Sequence, residues 1–202
     1  MPDKTLSKFF VGVTFSTSST LSKKIQGFRQ HFYQKYNPHL TPHMSLLAPF
    51  EILSKDKQRL TESLVDEIEN FFLGSQSTPK LGISGIGVWQ NKRHHVLYLN
   101  PKYEENLKYC MESVQELCES FIPSQVSYKP NDKQFIPLAT FNFESQLHRV
   151  VAQAKSEFAN NSELLITGIS LFEKKFGVWS VAHELISFDS TDNFLQLQHA
   201  SI

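Results

Sequence analysis

The sequence predicts an α+β fold: a bilobal molecule of two antiparallel sheets related by a pseudo-twofold axis, with helices packed outside and a central cleft. Three observations carry this. The order strand, helix, strand, helix, strand runs through twice along 202 residues and closes on one extra strand. ISGIG at 83–87 and ITGIS at 166–170 occupy the same place in each run. TPHMSLL (41–47) and FIPLATF (135–141) superpose on Pro42 and Pro137, so that Ser45 meets Thr140 while His43 meets Leu138.

Each element has its own signal. FFVGVTF (9–15) is aromatic and β-branched, as strands are. Leu21, Ile25, Phe28 and Phe32 then recur at helical spacing, and STSST just before them supplies N-cap hydroxyls. HMSLLAPF (43–50) reads as a short buried strand. Leu60, Leu64, Ile68, Phe71 and Phe72 mark one face of a second helix, closed by Gly74 and Pro79. LGISGIGVW (81–89) is a strand whose glycines predict a bulge or a close backbone approach. VLYLN (96–100) starts the second run. Leu107, Cys110, Met111, Val114, Leu117, Cys118 and Phe121 form a helical stripe, and 123–134 is a loop. FIPLATFNF (135–143) is a strand, Leu147, Val150, Val151, Ala154 and Phe158 mark a helix, and 164–175 is a strand. The expected organisation is one domain over 1–202, with a repeat at 8–90 and 95–176 and a closing strand at 177–188. No low-complexity linker divides the halves, so they are not expected to fold independently.

Composition narrows the function. The chain is 40% hydrophobic, enough for a sizeable core, and its 20 Lys+Arg balance 20 Asp+Glu. That balance argues against a protein wrapped by long nucleic acid or duplex, and leaves a small anion or a strand end. Cys110 and Cys118 are eight apart on a predicted helix, about 12 Å of rise, too far for a disulfide. They read as reduced core thiols of a cytosolic protein. The apolar run after Lys4 and Lys8 is too short for a signal peptide, and no run reaches a membrane span. The expectation is a cytoplasmic monomer that meets no membrane.

On a strand, residues i and i+2 share a face, so His43 and Ser45 are expected to project together, and Leu138 with Thr140. At these residues the chain resembles the two-histidine phosphoesterases, which include 2′-5′ RNA ligase-like and cyclic phosphodiesterase-like proteins. Their signature is His-x-Thr/Ser plus an apolar residue, once per lobe. PHMSL (42–46) matches it, whereas PLATF (137–141) keeps everything except the histidine. The resemblance implies two imidazoles acting as base and acid across a phosphodiester, two hydroxyls holding its oxygens, and no metal or cofactor. It names His43, Ser45 and Thr140 as catalytic. HLTP (39–42) is a rival His-x-Thr, but Pro42 interrupts a strand there, which leaves His39 at the cleft rim or in a solvated loop.

Leu138 transfers no proton, and losing one positioned acid or base costs roughly 10²–10⁴ in rate. Two readings follow: an attenuated phosphodiesterase or RNA ligase-like enzyme acting on 2′,3′-cyclic or 2′-5′ phosphodiesters, or a pseudoenzyme that binds a nucleotide or RNA end. A cleft turned to another small molecule, such as a sugar, is a third. His94 or His95 is a candidate replacement for the second imidazole. Trp89, Tyr98, Trp179 and Phe15 are candidates for stacking a base, and Lys174 and Lys175 for rim charges. His31, His148 and His183 read as surface or sheet residues.

Overall fold

The computed structural model describes residues 5–33, 40, 42–72, 79–90, 95–129, 134–142, 144–158 and 163–188. The first strand, β1 (Leu6–Phe15), sets the layout by strict alternation. Phe9, Val11, Val13 and Phe15 enter the main core, while Phe10 belongs to a separate cluster on the other side. Two short strands, β2 (His43–Ser45) and β3 (Phe50–Leu53), lie antiparallel along one edge of β1. One strand was expected over 43–50. The Leu46 amide still bonds the Val11 carbonyl at 2.8 Å, but Pro49 has no N–H with which to continue the ladder.

The chain then supplies β4 (Lys80–Gln90), β5 (His95–Lys102), β6 (Ile136–Phe141), β7 (Glu163–Lys175) and β8 (Val178–Ser187). The eight strands of the described residues form one sheet of order β2-β1-β7-β4-β5-β6, with β3 also on β1 and β8 also on β7. β7 is the hinge of this arrangement: residues 166–173 pair with β1, and 163–165 pair with β4. Each half of the chain therefore lends a strand to the other half's sheet. Although β2 and β6 end the path, they lie side by side, and Gln134 donates its side-chain N–H to the Leu46 carbonyl at 3.0 Å. The expected bulge among the β4 glycines falls between Ile83 and Gly85, where Gly85 takes a φ of 148°. Phe176 and Gly177 join β7 to β8 with φ of 51° and 83°, the positive values a two-residue hairpin turn requires.

Among the described residues, four α-helices cover one face of the sheet: α1 (Thr20–Phe32), α2 (Lys57–Phe72), α3 (Glu105–Phe121) and α4 (Glu144–Glu157). Their apolar stripes are those the sequence predicts. Ser19 caps α1 by accepting from the Ser22 amide at 3.1 Å. All four stripes share one continuous core with Leu81, Leu97, Leu99 and Ile169 of the sheet. Among the described residues, no helix is long and apolar enough to cross a membrane.

Both cysteines are free and buried in α3. Burial, helped by the charge of Glu67, pushes the Cys110 thiol up to about 12, and burial with Glu119 pushes Cys118 up as well. Thiolate is the reactive form. Neither residue is therefore expected to react with an aromatic disulfide reagent in the native protein, whereas both should react after denaturation. A fast native titre would contradict this.

Candidate active site

The helix-free face of the sheet is where the chemistry-bearing side chains gather. In antiparallel pairs, directly opposed residues share a face. Thr14 opposes His43 and Gly12 opposes Ser45 across β1–β2, while Thr14 opposes Gly168, Gly12 opposes Ser170 and Phe10 opposes Phe172 across β1–β7. His43, Ser45, Thr14, Ser170, Phe10 and Phe172 thus share the face away from the helices. His43 is only 8% exposed, and its ring lies 5.2 Å from that of Phe10 and 5.3 Å from that of Phe172. Thr14 donates its hydroxyl to the Gly168 carbonyl at 3.1 Å, which ties β1 to β7 beside the imidazole.

β6 brings Thr140 to the same face. Thr140 opposes Val96, Tyr98 opposes Pro137 and Gly87, and Trp89 opposes Val96. Thr140, Tyr98 and Trp89 therefore face away from Leu97 and Leu99, which lie in the main core. Trp89 is half exposed, at 51%. On β8, Trp179 opposes Lys174 of β7, whose ammonium lies 5.9 Å from the indole centre. The structure thus gathers His43, Ser45, Thr140, Trp89, Tyr98 and Trp179 on one face.

Several expectations are corrected. Leu138 does not share a face with Thr140: the β5–β6 register steps from Leu97–Ala139 to Tyr98–Pro137, leaving Leu138 as the extra residue of a bulge. Leu138 and Ala139 both sit in the main core with no exposed surface, so Leu138 contacts no ligand. His95 opposes Phe141, a core residue, so it turns to the helix side and is no substitute for the missing imidazole. Its Nδ1 is buried there and has no hydrogen-bond partner among the described residues. Phe15 is likewise a core residue. His31, His148 and His183 are exposed. His39 and His94 lie outside the described residues.

Sequence reading missed Thr14, Ser170, Phe10 and Phe172. They lack a motif, and only the pairing of β1 with β2 and β7 puts them beside His43. It also missed how Tyr98 is seated. A Cβ on Gly87 would run into the Tyr98 ring, so the ring lies directly over that glycine. Gly87→Ala is expected to displace the Tyr98 ring. NMR of the Tyr98 ring protons checks this, and unchanged shifts would contradict this seating.

A groove of about 660 Å³ lies elsewhere, on the helix side between α2 and β8, lined by Lys57, Thr61, Asp66 and His183 among others. Beside it, Glu173 is buried between Lys57 at 2.6 Å and Lys175 at 3.2 Å. Burial alone would raise its carboxyl, but the two ammonium groups prevail and hold it below the usual carboxylate range. Among the described residues, no three His, Cys, Asp or Glu side chains converge to hold a metal ion.

No protein-family model matches the sequence, nor does any curated protein. A solved structure of E. coli LigT complexed with 3′-AMP does match in shape: 92% of this chain aligns with 99% of that one, at a TM-score of 0.51 and 12% identity. The chain has the fold of E. coli LigT. LigT complexed with ATP aligns over 88% of this chain and 95% of its own, at a TM-score of 0.49 and 13% identity. Kluyveromyces marxianus Usb1 with uridine monophosphate aligns over 89% and 98%, at 0.46 and 12%. On this fold the helix-free face carries, among the described residues, a single imidazole, that of His43, together with the hydroxyls of Ser45 on β2 and Thr140 on β6.

Proposed function

We propose that the helix-free face is a phosphoester site, and that the protein opens 2′,3′-cyclic or 2′-5′ phosphodiesters of nucleotides or RNA ends without a metal and at an attenuated rate. One observation carries the reading: the register places His43 and Ser45 of β2 and Thr140 of β6 on the same face, while β2 and β6 lie side by side. His43 takes a proton from water as the water oxygen attacks phosphorus. The bond from phosphorus to the 2′ or 3′ oxygen breaks, and the leaving oxygen takes its proton from solvent. Ring strain in a cyclic phosphate makes this last step tolerable without a positioned acid, at a cost of roughly 10²–10⁴ in rate. The Ser45 and Thr140 hydroxyls donate to the non-bridging oxygens and hold them in line. Trp89, Tyr98 and Trp179 supply ring faces for a base. The 3′-AMP bound by LigT, which shares the fold, fits this substrate class.

A second reading, nucleotide or RNA-end binding without turnover, is favoured by the burial of Leu138 where the motif would carry its other histidine. Hydrolysis of 2′,3′-cyclic AMP, run beside calorimetric binding of 2′-AMP, separates the two. Turnover supports the enzyme, and binding without turnover supports the second reading. Neither binding nor turnover would remove phosphoesters from the account.

A further inference from the structure

The helix-free face carries its own small apolar cluster. Phe10, Phe172 and Leu40 are buried there, with Trp179 packed against them. A sheet face turned away from the core is normally polar, so rings in this place call for a reason. Phe10 and Phe172 stack with centroids 4.4 Å apart and planes 5° from parallel. Trp179 meets Phe10 edge-on at 4.8 Å. The His43 ring leans on both members of the stack, tilted by 30° and 34°.

We infer that Phe10 and Phe172 are positioning residues: the stacked pair, backed by Trp179, holds the His43 imidazole in one orientation. Gly12 is part of the device. A Cβ there would lie 3.1 Å from each phenyl ring, so the missing side chain is what lets both rings settle over β1 beside His43. An imidazole turns about two torsions, and fixing it in advance removes that freedom from the reaction. The need is greatest where one imidazole performs the only positioned proton transfer. The kinetic consequence rests on the phosphoester reading above. The geometric claim does not.

The test combines NMR of the His43 ring protons with steady-state kinetics on 2′,3′-cyclic AMP. The native protein is compared with Phe10→Leu, Phe172→Leu and Gly12→Ala. Thermal unfolding reports whether each variant folds, and a His43→Gln spectrum assigns the resonances among the eight histidines. Native His43 ring protons are expected to carry a ring-current displacement that collapses in both leucine variants. In Gly12→Ala, which keeps every ring, the displacement should move without vanishing, so this variant decides the matter if a leucine variant fails to fold. The expected kcat falls about tenfold to a hundredfold, with KM held within about twofold, as for a misplaced rather than absent base. Unchanged ring-proton shifts in the folded variants would overturn the inference, as would collapsed shifts with an unchanged kcat. If the native protein turns nothing over, the hydrolytic reading fails and the shifts alone decide whether the stack positions His43.

Discussion

Replacing His43 by alanine is expected to lower turnover of 2′,3′-cyclic AMP by at least about a hundredfold, the usual cost of removing a positioned base. No other described histidine takes its place. His95 faces the helix side, and His31, His148 and His183 are exposed away from Ser45 and Thr140. Binding should survive better than turnover, because the variant keeps the Ser45 and Thr140 hydroxyls to which the proposed reading gives the phosphoryl oxygens. The loss should therefore appear in kcat more than in KM. Ser45→Ala and Thr140→Ala each remove one hydroxyl donor, and each is expected to cost less than His43→Ala. Product formation followed by phosphorus NMR, with circular dichroism to confirm folding, checks all three. Native-like turnover in His43→Ala would remove this residue from the chemistry.

Restoring the missing histidine is the obvious repair, and the structure predicts that it fails. Leu138→His is expected to destabilise the protein by several kcal/mol and to leave turnover no higher. Leu138 has no exposed surface and lies in the main core at the β6 bulge. Truncating such a leucine to alanine costs about 2–5 kcal/mol. An imidazole put there loses part of that apolar contact and adds ring nitrogens without partners, at about 1–3 kcal/mol for a buried unsatisfied group. Against a total stability of roughly 5–15 kcal/mol, that is a large fraction. Urea denaturation measures it. A stable variant with raised turnover would mean that position 138 reaches the helix-free face after all.

Local pattern made most of the fold legible. The α1 and α3 stripes, the N-cap at Ser19 and the Gly85 bulge follow from neighbours within a few residues. That His43 and Ser45 share a face was legible because the i, i+2 rule holds on an unbroken strand. Leu138 was not, because its bulge is set by how β6 meets β5, a partner some forty residues earlier in the chain. His95 has the same cause: nothing next to it says which face of β5 it will occupy. Phe10 and Phe172 read as ordinary strand residues, and only the 162-residue separation closed by β1–β7 pairing makes them neighbours of His43 (172 − 10 = 162).

The central claim is that a phosphoester sits on the helix-free face between β2 and β6. Amide and indole NMR during titration with 2′-AMP tests it most directly. The account predicts perturbations at His43, Ser45 and Thr140, with the indole signals of Trp89 and Trp179 moving along the same binding curve. Perturbations confined to the α2–β8 groove, at Lys57, Thr61 and His183, would contradict it, as would a spectrum that 2′-AMP leaves unchanged.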